Sequence, residues 1–130
     1  MKEVCEANLN MPAWFNSGML FVGRTIYVDA LRSTFAIDAT TCELKWRNDL
    51  DFTLPPATNS NRGPAYMDGL IFRGTGDGRI IALDAETGKL VWQTQGANPT
   101  RRETFLAAPV AWDGKVFAGT GISDSAQLDG

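Results

Sequence analysis

The sequence reads ALDAETGKLVW from Ala82 to Trp92, and a close copy, AIDATTCELKW, runs from Ala36 to Trp46. The second copy starts 46 residues after the first and keeps the alanines, the aspartate, a threonine and the final tryptophan. Self-similarity at a period of about 40–50 residues is typical of repeat architectures, and this period is the size of one propeller blade. The chain is therefore predicted to be a repeat protein.

Other segments recur at nearly the same interval. GPAYMDGLIFRGTG, residues 63–76, is echoed by APVAWDGKVFAGTG, residues 108–121, and more loosely by SGMLFVGRTIYVDA, residues 17–30. Each repeat therefore contains one segment similar to ALDAETGKLVW and one similar to GPAYMDGLIFRGTG. This spacing predicts blades at about residues 13–50 and 61–95, with a third, incomplete blade at 107–130.

Each repeat reads as two β-hairpins. Asp68-Gly69 and Asp113-Gly114 each lie between two short apolar runs, which is the strongest local signal for a hairpin. In the second hairpin, Asp84 is placed to accept hydrogen bonds from turn amides and Gly88 to supply a positive φ. Two hairpins make a four-stranded antiparallel blade. No window of a dozen residues shows helical periodicity free of Gly or Pro, so the predicted class is all-β.

Composition excludes several kinds of chemistry. The chain has 130 residues and no histidine, so common Cys/His zinc sites and Ser-His-Asp or Cys-His catalysis are ruled out. Twelve basic against 15 acidic residues, without a run of like charge, argue against a nucleic-acid or anionic-membrane surface. GTGDGR, residues 74–79, lacks the Lys-Ser/Thr of a phosphate loop and is interpreted as a hairpin connection.

The two cysteines, Cys5 and Cys42, leave two interpretations open. Their spacing demands no bond, so two free or buried thiols are the favoured prediction and one disulfide is the alternative.

Two and a half blades cannot close a ring, because propellers need about four to eight. We therefore expect the chain to be a piece of a longer protein. The N-terminus has no apolar run typical of a signal peptide, which taken literally would indicate the cytoplasm. If the chain is a piece, that indication no longer holds.

The pattern Ala-x-Asp-x-x-x-Gly-x-x-x-Trp resembles the tryptophan-docking motif of the eight-bladed pyrroloquinoline quinone (PQQ) dehydrogenase propellers. The resemblance implies a partial propeller of about two and a half blades, in which each indole packs on a small alanine and on a glycine peptide of the neighbouring blade. Cys42 occupies the glycine position of the first copy. This departure is expected either to weaken the first docking contact or to leave a side chain in a strained turn.

The same resemblance implies candidate site residues. SNRGPAY, residues 60–66, is similar to the family's Asn-Arg-Gly segment, which assigns Arg62 to the acidic cofactor. The family's cofactor-binding threonine falls on Leu106, and Thr104 lies two residues away. The loop GTGISDSAQLDG, residues 119–130, is longer than its counterpart in the second blade and places Asp124 at the position of a metal-binding glutamate.

Several positions depart from the family. The adjacent cysteines that usually precede Asn-Arg-Gly are missing from LPPATNS, residues 54–60. Ile122 and Ser123 replace the small residues that lie beside the family's metal-binding glutamate. Leu128 replaces a later arginine. The family's catalytic aspartate lies beyond Gly130, so no catalytic residue is assigned here.

The resemblance implies a periplasmic enzyme that uses PQQ and calcium, or another hard cation, to oxidise an alcohol or sugar. Its expected partners are that substrate, a cytochrome c or quinone electron acceptor and the remaining blades, and the isolated 130 residues are expected to be inactive. The alternative is a non-catalytic propeller similar to the scaffold lipoprotein of outer-membrane assembly, which the missing cysteine pair, Leu106 and Leu128 favour.

Overall fold

A computed structural model of the chain describes residues 2–11, 16–52 and 61–122. The described residues are almost wholly β-structure, with a single turn of 3-10 helix at Pro99–Arg101 and no α-helix. Accordingly, none of the described segments is a helix long and apolar enough to cross a membrane. The all-β prediction is confirmed.

The first repeat is a four-stranded antiparallel sheet whose strands follow one another in space as in sequence. Its strands are β1 (Leu20–Val22), β2 (Thr25–Asp29), β3 (Ser33–Asp38) and β4 (Leu44–Asp49).

The second repeat has the same topology. Its strands are β5 (Ala65–Met67), β6 (Leu70–Gly74), β7 (Arg79–Asp84) and β8 (Leu90–Gln95). Even the irregularities repeat: Ala36 pairs with Trp46, Ala82 pairs with Trp92, and the register shifts directly after each alanine. The repeat seen in the sequence is therefore a repeat of backbone geometry.

The third region contains two short antiparallel pairs. β10 (Val110–Trp112) pairs with β11 (Lys115–Phe117), while β9 (Glu103–Thr104) pairs with β12 (Gly121–Ile122). Strand β5 lies beside both β1 and β10. The first strands of successive hairpins are therefore neighbours, as they are around a propeller axis.

The predicted hairpin turns are confirmed. Asp68 and Gly69 have φ values of 50° and 81°, and Asp113 and Gly114 have 48° and 71°. Positive φ at both central residues is the signature of the type I′ turn, whose twist matches that of the flanking strands. Asp84 also behaves as predicted, because its Oδ1 accepts hydrogen bonds from the backbone N–H groups of Glu86 and Thr87 at 3.1 and 2.8 Å.

The core lies between the first two sheets, which face each other. It is formed by Tyr27, Ala36 and Trp46 from the first sheet and by Ile71, Ile81, Leu83 and Ala85 from the second. Side chains alternate along a strand, so on β3 Ala36 belongs to this core while Phe35 and Ile37 belong to a separate cluster. Sheets packed face to face around neighbouring first strands form a partial β-propeller.

Trp46 docks on the second sheet as predicted. Its indole Nε1 donates a hydrogen bond to the Ala85 carbonyl at 3.0 Å, and the ring lies directly over Gly88. A Cβ at Gly88 would approach Trp46 Cε3 to 2.5 Å, so the glycine leaves room for the ring. Trp92 is 38% exposed, and its docking on a further blade stays a prediction.

The favoured prediction for the cysteines was wrong, because Cys5 and Cys42 form a disulfide that spans 37 residues. The sequence between Cys5 and Cys42 does not indicate that the two cysteines lie close together, because only tertiary folding brings them together. Two consequences were expected for Cys42. The first, a weakened docking contact, does not affect Trp46, because Trp46 docks on Gly88. The turn does carry a side chain at a positive φ of 59°.

Candidate functional site

The Asn-Arg-Gly segment, residues 61–63, is fixed by its asparagine. Asn61 is 1% exposed; its Nδ2 donates to the Gly74 carbonyl at 2.9 Å, and its Oδ1 accepts from the Gly63 N–H at 3.0 Å. A buried amide that uses both ends in this way stabilises one loop conformation. Asn61 is therefore a positioning residue for the arginine that follows it.

The backbone of Arg62 joins all three repeats. Its N–H donates to the Leu106 carbonyl at 2.9 Å, and its own carbonyl accepts from the Gly18 N–H at 3.0 Å. Gly63 has a φ of 122°, and a Cβ there would lie 2.9 Å from the Gly18 carbonyl oxygen, so the close approach of the first repeat requires glycine. The Arg62 side chain is exposed, so a backbone held on both sides carries an exposed guanidinium.

Thr104 lies near this segment but is buried. It is 2% exposed, and its Oγ1 donates a hydrogen bond to the Gly121 carbonyl at 3.1 Å. Its hydroxyl oxygen keeps lone pairs that can accept a further bond. Leu106, the position that matches the family's threonine, meets Arg62 through its backbone carbonyl.

Phe105 attaches the third region to the second sheet. Its N–H donates to the Thr75 carbonyl at 3.1 Å, and its backbone covers Gly74 so closely that no side chain fits there. Its ring also lies against Gly96. These contacts hold residues 104–106 beside the Arg62 backbone.

A buried ion pair joins the first two sheets behind the Asn-Arg-Gly segment. Arg73 and Asp29 have side chains that are 0% exposed, with Nη1 and Oδ1 3.5 Å apart. Arg73 Nε and the Asn61 amide both donate to the Gly74 carbonyl, at 3.3 and 2.9 Å, so the two features are connected. Burial raises the pKa of Asp29, which the charge of Arg73 partly opposes. Burial also lowers the pKa of Arg73.

Sequence reasoning missed this pair, although a signal was present. Asp29 ends the strand TIYVD and Arg73 interrupts the strand LIFRG, so each places a charge where the burial pattern calls for an apolar side chain.

The residues of GTGDGR form a connection between strands, as predicted. Thr75 N–H donates to the Arg79 carbonyl at 2.9 Å, and Gly78 has a φ of 81°. The carboxylate of Asp77 pairs with Arg79 at 2.8 Å and is 4% exposed. These side chains satisfy one another inside the turn.

The proposed metal position, Asp124, lies outside the described residues, as do Ser123, Leu128 and the whole of LPPATNS, residues 54–60. Within residues 2–11, 16–52 and 61–122 there is no group of three or more carboxylates or cysteines arranged to hold a metal ion.

Four-stranded antiparallel sheets that face one another and are joined by a docked indole define a repeat protein of the β-propeller class. The family model described as outer membrane protein assembly factor BamB, a PQQ-repeat model, matches residues 3–129, and the chain belongs to this family.

Curated relatives show which propellers the chain is similar to. It is 39% identical over 111 residues to a lanthanide-dependent methanol dehydrogenase of Methylacidiphilum fumariolicum, a match that covers 78% of this chain and 18% of the relative. It is 37% identical over 108 residues to the quinohemoprotein alcohol dehydrogenase ADH IIB of Pseudomonas putida, with coverage of 78% and 16%.

A solved structure agrees. A europium-containing methanol dehydrogenase matches 85% of this chain and 21% of its own, with a TM-score of 0.70 and 35% sequence identity. The chain thus spans less than a fifth of the length of the two curated relatives described above.

Proposed function

We propose that this chain is part of a PQQ-dependent dehydrogenase that oxidises an alcohol or a sugar. The observation that carries the proposal is Arg62, whose backbone joins three repeats while its guanidinium stays exposed. The similarity of the chain to alcohol dehydrogenases supports the same reaction class. When bound, PQQ would supply the hydride acceptor for substrate oxidation.

The described residues fit an anionic, flat cofactor beside Arg62. A guanidinium pairs bidentately with carboxylate or quinone oxygens. Gly18 and Gly63 contribute no side chains beside it, and their close backbone contact leaves no room for any at Gly63. Arg62 would therefore bind and orient the cofactor, while Asn61 holds the backbone loop that carries this arginine.

Thr104 is proposed as a second cofactor-binding residue. Its hydroxyl proton is already donated to Gly121, so it would act as an acceptor towards the ligand. The neighbouring Phe105 is bonded to Thr75, and the Leu106 carbonyl accepts from the Arg62 N–H, so residues 104–106 also have a positioning function.

Asp124 is proposed as a ligand of a hard cation, either calcium or a lanthanide. Carboxylate oxygens are the donors that such cations prefer. The dependence of one relative on lanthanides supports including a lanthanide beside calcium.

We place the protein in the periplasm, with a cytochrome c or quinone as electron acceptor. The Cys5–Cys42 disulfide supports an oxidising compartment, because structural disulfides persist there and are rare in the cytosol.

The test is cofactor binding by the intact polypeptide that carries these residues. PQQ is titrated in the presence of calcium or lanthanum and followed by its absorbance. Arg62→Ala is expected to weaken binding at least tenfold, the effect of losing about 1.4 kcal/mol of a charged contact. Arg24→Ala is the matched control, since Arg24 is an exposed arginine with 74% of its side chain accessible. Equal affinity in the two variants would exclude Arg62 as a cofactor ligand.

For the isolated 130 residues we propose no turnover, because the family's catalytic aspartate lies beyond the position that matches Gly130. A dye-linked dehydrogenase assay with added PQQ and calcium checks this, and measurable activity would contradict it.

The second candidate is a non-catalytic propeller that presents binding surfaces. The description of the matching family as an outer-membrane assembly factor favours it, together with Leu106 in place of the family's threonine. Asp124→Ala distinguishes the two in the intact polypeptide. Loss of cation-dependent PQQ binding supports the enzyme, whereas no PQQ binding by the parent protein supports the scaffold.

A further inference from the structure

Cys42 and Gly88 occupy the same position in the two sheets. The Cys42 N–H donates to the Asp38 carbonyl at 2.9 Å, and the Gly88 N–H donates to the Asp84 carbonyl at 2.8 Å. Their φ values are 59° and 71°. The two turns are therefore the same turn, with a side chain in the first and none in the second.

In the second sheet this turn receives a tryptophan from the sheet before it. The Trp46 ring lies so close to Gly88 that an added Cβ would meet Cε3 at 2.5 Å and Cδ2 at 2.6 Å. Contacts that short do not occur without a shift of the ring or the turn. An indole docked in the same way on the first sheet would meet the Cβ of Cys42, so this turn is closed to it.

The N-terminal segment, residues 2–11, lies at this turn of the first sheet. Cys5 is bonded to Cys42, and Ala7, Leu9 and Met11 pack against the cluster formed by Val28, Ala30, Phe35 and Ile37. Residues 5, 7, 9 and 11 are half-buried, while 6, 8 and 10 are exposed. The segment therefore lies along the sheet with alternate side chains turned inwards.

We propose that residues 5–11 are the docking partner of the outer face of the first sheet, and that the Cys5–Cys42 disulfide replaces the tryptophan clasp at this turn. The second sheet is held by an indole on a glycine, and the first by a covalent bond on a cysteine. At this turn the disulfide takes the position that an indole has in the second sheet, so the turn does not receive the indole of another blade or of a second copy.

Such a clasp responds to thiols, whereas an indole on a glycine does not. Exchange with a dithiol such as dithiothreitol breaks the S–S bond and leaves two thiols, while the dithiol gives up two electrons and two protons and becomes a cyclic disulfide. Reduction removes the covalent link between the segment and the turn, so residues 5–11 are held only by their apolar contacts.

Limited proteolysis followed by mass spectrometry tests this in the intact polypeptide. On reduction, cleavage after the exposed Glu6 is expected to become about tenfold or more faster, because the segment can then leave the sheet. Cleavage after the exposed Glu86, in the turn on which Trp46 docks, is expected to keep its rate. Cys5→Ser is expected to reproduce the faster cleavage after Glu6 without reductant. An unchanged rate of cleavage after Glu6 on reduction, or alkylation of Cys5 in the unreduced protein, would overturn the proposal.

A paired variant tests the exclusion of an indole. Cys5→Ser with Cys42→Gly restores the glycine, and Cys5→Ser with Cys42→Ser keeps a side chain of similar size. If the turn normally receives a tryptophan, the glycine variant will exceed the parent protein in stability, and this result would contradict the proposal. We expect both variants to be less stable than the parent and to expose residues 5–11 equally. If either variant fails to fold, reduction of the folded parent remains the deciding measurement.

Discussion

The guanidinium of Arg73 lies 3.5 Å from the carboxylate of Asp29 in the neighbouring sheet, and water reaches neither side chain. Arg73 also donates to Thr34 Oγ1 at 2.9 Å and to the carbonyls of Ala30 and Leu31 at 2.8 and 3.0 Å. Asp29 Oδ1 accepts from the Thr34 hydroxyl at 2.7 Å, while Oδ2 has no hydrogen-bond partner among the described residues. The two sheets are thus joined by a polar contact as well as by the indole of Trp46.

Arg73→Met is expected to destabilise the protein by about 3–5 kcal/mol, because it leaves Asp29 buried without its partner. Denaturant unfolding of the intact polypeptide measures the loss. The control is Arg47→Met, which removes an exposed pair with Asp49 and should change stability by no more than about 1 kcal/mol. Equal effects of the two substitutions would mean that the buried pair contributes nothing beyond a surface pair.

The loss caused by Arg73→Met should depend on pH in a defined direction. Burial raises the pKa of Asp29 above its unfolded value, and removing Arg73 raises it further, since the positive charge opposes that shift. Stability from a group with a raised pKa is present below the unfolded pKa and is lost as pH rises through the folded pKa. The deficit of the variant is therefore expected to be largest near neutral pH and to shrink towards pH 4. A deficit that grows on acidification would contradict this account.

Gly88→Ala is expected to cost about 1–3 kcal/mol by overpacking against the Trp46 ring, in addition to the cost of a side chain at positive φ. The chain offers a matched control in Gly114, which has the same φ of 71° but nothing within 4 Å of an added Cβ. The difference between the two alanine variants isolates the packing cost. Tryptophan fluorescence should shift in Gly88→Ala alone, and no difference between the variants would argue against a docked ring.

Asp38 provides an acid-dependent contribution at the turn that carries Cys42. Hydrogen bonds from the side chain and backbone of Thr40 lower its pKa from 3.8 to about 2. Because the folded pKa is lowered, this stabilisation is present above the unfolded pKa of 3.8 and is lost as pH falls through about 2. Asp38→Asn should therefore be less stable than the parent at pH 6, with the difference narrowing below pH 4. Thermal unfolding at several pH values measures it, and a difference that is constant with pH would show that the charge contributes nothing.

The sequence proposes residues for the candidate site but does not indicate how the structure holds them. The Asn-Arg-Gly resemblance selects Arg62, and the blade comparison selects Asp124, which lies outside the described residues. Nothing in the sequence indicates that the Arg62 backbone bonds to both Gly18 and Leu106. The sequence also does not indicate that Thr104 Oγ1 donates a hydrogen bond to the Gly121 carbonyl. These bonds join separate repeats, or distant parts of one, and so depend on how those parts pack.

The repeat, the hairpins and the turns follow from the amino-acid sequence, because they depend on local rules. The Asp-Gly pairs need positive φ, Asp84 caps its own turn, and alternation assigns each residue to a face within one strand. Three features become known only from the folded chain: the bond between Cys5 and Cys42, the packing of the N-terminal segment on the first sheet, and the pairing of Asp29 with Arg73. Each of these joins residues far apart in the chain, and their proximity follows from the twist and stacking of whole sheets.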